Sequence, residues 1–420
     1  MSKGKKKSTD RRRILLGCEF LAGRSHIERL EPIATALRAA EFDTVIAIPG
    51  TDHEAIFANT ESGELPSGLS IIKAPEPVIS SDPAIRGLPT DSFADVLYLL
   101  GHADGEEVGR RVDAWTQLVS KIKPDVVIGD LAPSLRLATR GKVPMIVVGR
   151  GYSIPPPDRP MVPIRPWRQE VPEASAAREQ ELLSTINRVL TERDLEPLSY
   201  LVDMVRGDAT YVCSTHFADP YRDHRTTTRL APFDMPEDIV SRGVGAREPD
   251  TLVAYLPDGH PQLDSILAAI KATDHDCEMR IVGISPENAQ AMSTDKIRIT
   301  GDPIDFHGSL PAAQAVIHHG GQSISIASLL AGTRQVIVPV GLEHLVSSHG
   351  VQNLGCARLV GTGPDWPAER ITEVLRAVLA NEAMAERAFR RSDLVYFGEV
   401  RKGLETIVER CTEFVGEDGE

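Results

Sequence analysis

Short apolar runs, each closed by a turn residue and followed by a segment of helical periodicity, recur along the chain, and that alternation admits few folds. Arg13–Phe20 is the first run, followed by Ile27, Leu30, Ile33, Ala34 and Leu37 near helical spacing, and then by Thr44–Pro49, which ends in Pro-Gly. A strand–helix–strand opening of this kind calls for a parallel sheet covered by helices. Leu69–Lys73, Val126–Ile128, Met145–Val148 and Thr210–Cys213 continue the strands. Phe93–Val119 reads as one helix, with Leu97, Leu100, Val108, Val112 and Leu118 apolar, and a polar helix is expected over Glu173–Glu192. Between them, Ile154–Pro172 holds seven prolines and no periodicity. Such a stretch must be a loop, and long loops inside domains are usually functional or mobile.

A second series of strands and helices begins after a Pro/Gly-rich segment. Leu252–Leu256, Met279–Gly283, Lys296–Ile299, Ala315–Ile317 and Gln335–Val338 read as strands; Gln262–Ile270, Ser325–Ala331, Leu345–Asn353 and Glu369–Arg390 read as helices. The expected organisation is a basic leader (1–13), an N-terminal α/β domain (14–230), a linker (231–249), a C-terminal α/β domain (250–391) and terminal helices (392–420). Ligands of open α/β sheets bind beyond the carboxyl ends of the strands. Two such units are expected to leave a cleft between them.

Charge narrows the function classes. The 420 residues carry a formal net charge of -14, and 25% of them are charged. The first 13 hold seven basic groups against one aspartate, so the leader is +6 and the rest is -20. An acidic body argues against nucleic-acid binding. The leader reads as a solvated, disordered segment, with weak contact to an anionic membrane surface as the alternative. No run approaches the roughly 20 apolar residues of a membrane span. The five cysteines are scattered without a CxxC or Cys/His cluster, which points to neither a zinc site nor a disulfide framework and fits a reducing cytoplasm. Oligomeric state is not legible.

The most informative stretch is Ala315-Val316-Ile317-His318-His319-Gly320-Gly321-Gln322-Ser323-Ile324-Ser325, followed by Leu330-Ala331-Gly332-Thr333-Arg334-Gln335-Val336-Ile337-Val338-Pro339. It reads as strand, glycine turn and helix start. Glycines allow close backbone approach, and free N–H groups at a helix start attract an anion. His319 adds a donor for a phosphate oxygen, and Ser323 and Ser325 add hydroxyls and capping oxygens. His318 is expected to face the core or support the turn. The spacing is not that of a Walker loop, and no GxGxxG follows the first strand.

This stretch resembles the donor signature of the family 1 glycosyltransferases with the GT-B fold, and is most similar to those of bacterial natural-product pathways. The resemblance runs from Ile14 to about Gly361. Gly23-Arg24-Ser25-His26 matches the Gly-x-x-His turn of the acceptor domain, whose histidine is the family's general base. Pro124–Asp130 matches the strand ending in the aspartate that orients it, and Pro339–His344 matches the segment contacting sugar hydroxyls. The resemblance implies two Rossmann-like domains facing across a cleft, with C-terminal helices crossing back. It implies His26 and Asp130 as catalytic residues, and His319, Gly320, Gly321, Gln322, Ser323, Ile324 and Ser325 as the diphosphate cradle. Glu343 and His344 fall at the donor sugar, and Ile304 and Phe306 at the nucleobase loop, where hydrophobic packing is an equal reading. The Asp274-His275-Asp276 triplet is read as a solvated loop.

The chemistry suits these residue types. Sugar transfer from a nucleotide diphosphate to an alcohol needs a base for the hydroxyl proton, a carboxylate to orient that base, and donors for the departing diphosphate. The expectation is therefore an inverting, metal-independent transferase. It would use a UDP- or dTDP-sugar as co-substrate, need no cofactor, and act on a small, apolar acceptor held by loops near 75–95 and 150–172. There Arg150, Arg159, Arg165 and Arg168 either admit an acidic group or are solvated. Ser323-Ile324 replaces the family's Gly-Thr or Gly-Ser, Ala327 its ribose-binding glutamate, His344 a glutamine and Ser347 an asparagine. These departures keep open a catalytically silent nucleotide-sugar-binding protein of the same fold; a nucleotide-sugar epimerase is a third reading.

Overall fold

A computed structural model describes residues 12–20, 26–50, 69–233, 250–361, 366–391 and 398–417. The leader up to residue 11, residues 23–25 of the Gly-x-x-His turn and linker positions 234–249 lie outside the described residues. The chain divides into two compact units. One holds residues 1–213, 223–233 and 399–420, and the other 214–222 and 234–398.

Unit 1 is built on a seven-stranded parallel sheet in the order β3-β2-β1-β4-β5-β6-β7. The strands are β1 (Arg13–Cys18), β2 (Asp43–Ile48), β3 (Ser70–Lys73), β4 (Val126–Asp130), β5 (Met145–Gly149), β6 (Ala209–Cys213) and β7 (Arg229–Leu230). β4 and β5 are buried along their whole length, which is why they read as continuous apolar runs rather than alternating ones. Ile14 and Leu16 of β1 pack with Leu30, Ile33 and Leu37 of the helix Ile27–Ala39. Each such burial contributes about 2 kcal/mol. The last helix, Gly398–Glu417, adds Ile407 and Cys411 to this same core, as expected of terminal helices that return to the first domain.

Unit 2 carries a six-stranded parallel sheet in the order β10-β9-β8-β11-β12-β13. Its strands are β8 (Thr251–Pro257), β9 (Asp276–Val282), β10 (Ile297–Thr300), β11 (Ala315–His318), β12 (Arg334–Ile337) and β13 (Ala357–Leu359). In each sheet the strand order reverses once, between β1 and β4 and between β8 and β11. A reversal leaves the helices on opposite faces and opens a crevice at the carboxyl ends of those two strands.

Four expectations are corrected. The helix expected over Phe93–Val119 is broken into Phe93–Leu97, a π-turn at Tyr98–His102, and Gly105–Ile122. Gly101 sits at φ 84°, outside helical space, and Asp104 caps the next helix through Glu106 and Glu107 N–H groups. The helix expected over Glu369–Arg390 is two, Ala368–Leu379 and Glu382–Arg391. The N-terminal domain does not run unbroken to 230, because Ser214–Arg222 packs with unit 2, where Phe217 joins a core cluster with Val253, Leu310 and Val351. The proline-rich loop is tied to the body of unit 1 rather than free, although 157–160 and 167–170 stay exposed. Arg165 and Arg168 both pair with Asp91 at 3.0 and 2.6 Å, Met161 N donates to Glu179, and Arg159 stacks on Tyr200 at 3.5 Å.

Candidate active site

The sheet of unit 1 places its candidate residues at its own reversal point. Asp130 is the last residue of β4, and its register partner on β1 is Cys18. His26 caps the start of the helix Ile27–Ala39. Its Nδ1 lies 2.9 Å from Asp130 Oδ2. A carboxylate only accepts, so Nδ1 carries a hydrogen, and only when the ring is neutral does Nε2 hold the lone pair. Asp130 is fully buried and His26 is 9% exposed. Arg29, one turn along the same helix, also donates to Asp130 Oδ2. Burial opposes the Asp130 charge, but Arg29 and then His26 outweigh it and hold the carboxyl below its usual range.

Burial also opposes a charge on His26. The Cys18 sulfur and the Asp130 carboxylate more than offset it, and the imidazole is pushed up to about 10. This group therefore takes and holds a proton strongly. Sequence reasoning found His26 and Asp130 but missed Arg29 and Cys18. The signal for Arg29 was present: position 29 lies three residues after His26, inside an otherwise apolar stripe. Glu19, next to Cys18, was missed as well. It is fully buried, accepts from Ser134 N and Oγ at 2.7 and 2.6 Å, and pairs with Arg111 at 3.1 Å.

Unit 2 places its candidate residues beyond β11. His318 is fully buried; its Nδ1 accepts from Gly320 N at 3.1 Å, so its Nε2 donates to Gln335 Oε1 at 2.9 Å. Gln335 Nε2 passes the relay on to Ser325 O at 3.0 Å. His318 thus supports the turn, and burial drives its pKa down to about 4. Gly320 has φ 92°, and a Cβ there would lie 2.7 Å from Ser348 Oγ and 3.1 Å from His344 O. Only glycine fits. Gly321 caps the helix Gln322–Leu330 with no side-chain hydrogen bond.

The capping role expected of Ser325 is corrected: its hydroxyl donates to Gly321 O at 2.8 Å within the helix. Gln322 is buried and accepts from Ser214 Oγ at 2.7 Å. Ile324 turns into the core with Leu310 and Val316. Ser323 lies in the first turn. His319 sits above the turn, its Nδ1 3.4 Å from Tyr255 O. Its ring meets His344 edge-on at 4.8 Å, and Glu343 precedes His344 in the first turn of the helix Leu342–Asn353. Phe306 packs edge-on against Tyr255 at 5.5 Å, while Ile304 is a core residue. Asp274 lies at φ 61° and pairs with exposed Lys296 at 2.6 Å, as befits a loop.

Comparison with known proteins now bears on these two clusters. Residues 264–394 match the family described as erythromycin biosynthesis protein CIII-like, C-terminal domain. The C-terminal part of the chain is thus similar to the corresponding domain of a natural-product biosynthesis family. The O-mycaminosyltylonolide 6-deoxyallosyltransferase of Streptomyces fradiae is 29% identical over 105 residues, a stretch that spans 25% of this chain and 24% of that protein. Among solved structures, the glycosyltransferase VinC in complex with dTDP superposes with a TM-score of 0.62 at 19% identity, covering 95% of this chain and 100% of that one. CalG4, the calicheamicin glycosyltransferase, gives 0.62 at 15% identity over 97% and 99%. These likenesses establish the GT-B fold expected from the motifs.

Proposed function

We propose that the protein is a glycosyltransferase that moves a sugar from a UDP- or dTDP-sugar to a hydroxyl of a small, apolar acceptor, with inversion and without a metal. The observation that carries this reading is the His26–Asp130 pair at the reversal point of one sheet, together with the His319–Gly321 turn at the reversal point of the other.

His26 acts as base. With Nδ1–H held by Asp130, its Nε2 lone pair takes the acceptor hydroxyl proton as the new bond to the sugar forms. Because its pKa is raised to about 10, only a small unprotonated fraction is active near neutrality, and the rate climbs as pH rises. The diphosphate leaves toward main-chain N–H groups of the helix Gln322–Leu330, whose dipole favours the anion. One displacement on the face opposite the leaving group inverts the anomeric carbon.

An apolar acceptor is supported by Val78, Ile79 and Trp167, which are exposed on the two loops assigned to it, and by the pairing of Arg165 and Arg168 with Asp91, which offsets their charge. The small-molecule acceptor named for the relative, O-mycaminosyltylonolide, supports a small acceptor, and the dTDP bound by VinC supports a nucleotide donor. Of the departures that keep a silent reading open, Ser323-Ile324 and Ala327 among them, Ile324 at least is buried in the core, which supports a helix start clear of that side chain. The test is a thermal-shift and transfer screen of UDP- and dTDP-sugars against hydroxylated apolar acceptors. Selective stabilisation plus transfer supports the proposal. Stabilisation without transfer to any acceptor favours the silent protein, and donor turnover without acceptor favours the epimerase.

A further inference from the structure

The hydrogen bonds of His319 restrict what it does for an anion. Tyr255 O accepts from His319 Nδ1 at 3.4 Å. A carbonyl only accepts, so the neutral ring carries its hydrogen on Nδ1 and a lone pair on Nε2. That Nε2 hangs directly over the glycine turn: a Cβ on Gly321 would lie 2.8 Å from it. Gly321 is the cap of the helix Gln322–Leu330, where phosphate oxygens of a donor would gather. A lone pair facing a phosphate oxygen repels it. The neutral side chain, in the tautomer the structure fixes, is therefore the wrong partner for the ligand this turn is shaped to receive.

The surroundings keep the ring neutral while the turn holds no ligand. His344 meets it at 4.8 Å from the helix Leu342–Asn353, and His318 precedes it on β11. His260 faces it from beyond β8, and Arg280 of β9 lies over the Tyr255 ring. Burial and then these neighbouring imidazoles drive the His319 pKa well below its ordinary value. A dianionic diphosphate reverses that balance, since an opposite charge at hydrogen-bond distance favours the protonated ring.

We propose that unit 2 binds its donor with uptake of one proton, which passes from solvent to His319 Nε2 and is returned when the diphosphate leaves. This rests on the donor reading given above and deepens it. The protonated ring donates from both nitrogens, to Tyr255 O and to a phosphate oxygen. Donor affinity then falls as pH rises, by up to about tenfold per unit. Product diphosphate is released more readily at the alkaline pH where His26 works best.

The experiment is calorimetric titration of UDP-glucose and dTDP-glucose, whose diphosphates carry no group titrating near neutrality, in buffers of differing ionisation enthalpy. At pH 7 the full chain should take up roughly half to one proton per donor bound. H319Q keeps a side-chain N–H donor but no titrating ring; it should bind with no uptake and no pH dependence. H344Q should keep the uptake. Binding without uptake by the unmodified protein overturns the proposal, whether or not H319Q folds. Uptake kept in H319Q but lost in H344Q overturns it by moving the proton to His344. Failure of both nucleotide sugars to bind defeats the donor reading, and this inference with it.

Discussion

Cys18 and Asp130 are direct partners across β1 and β4. The pairing sets a sulfur beside a carboxylate, with the imidazole of His26 bonded to the latter. Both groups favour the imidazolium, Cys18 more than Asp130, against the opposing effect of burial. Cys18→Ala should therefore lower the His26 pKa and move the acid limb of the pH–rate profile to lower pH. The check is kcat against pH for the two proteins. An unmoved limb contradicts the role given to Cys18.

Arg29 competes for the same oxygen of Asp130. Replacing it with methionine removes a buried cation and leaves His26 alone with the carboxylate. The acid limb should move to higher pH, opposite to the Cys18 change, and breaking the buried pair should cost about 3–5 kcal/mol. Asp130→Asn should lose as much stability and most of the activity as well, because it frees both Arg29 and the His26 ring. Denaturation midpoints alongside kcat separate the two effects.

Gly320→Ala tests the turn. Its φ of 92° and the 2.7 Å approach to Ser348 Oγ leave no room for a methyl group. A strained left-handed residue costs about 1–3 kcal/mol. Beyond that loss, nucleotide-dependent thermal stabilisation should vanish, since the turn itself must shift. Preserved stabilisation contradicts the cradle.

Acid should destabilise the fold through its neutral, buried histidines. His318 has a pKa pushed down to about 4, and those of His102 and His319 are also lowered. Unfolded histidines bind protons at about 6.5, so between 6.5 and 4 the unfolded chain binds more protons, and stability falls as pH falls. His318 alone contributes on the order of 3 kcal/mol across that window. Urea midpoints at pH 7, 5.5 and 4.5 measure it; a flat profile counts against the buried relay.

Much of the fold was legible because parallel strands buried on both faces leave continuous apolar runs, as in Val126–Asp130 and Met145–Gly149. His26, Asp130 and the His319 turn were legible because each ends a strand or begins a helix at a sheet reversal. What escaped depends on packing. Ser214–Arg222 follows the last long strand of unit 1 but joins unit 2 through Phe217. Gly101 and Asp104 break an apolar stripe that periodicity alone continues. Arg29 lies inside the apolar stripe of its helix, and only the position of Asp130 shows why a cation is buried there. The partner of Arg165 and Arg168 was not legible because Asp91 lies more than 70 positions earlier.

The central claim is a division of labour, with proton removal by His26 in one unit and donor binding by the His319 turn in the other. Measuring transfer and nucleotide affinity side by side in His26→Ala tests it most directly. Transfer should fall by on the order of a hundred- to ten-thousand-fold, with UDP or dTDP affinity unchanged. Undiminished transfer, or nucleotide affinity lost along with it, would contradict the account.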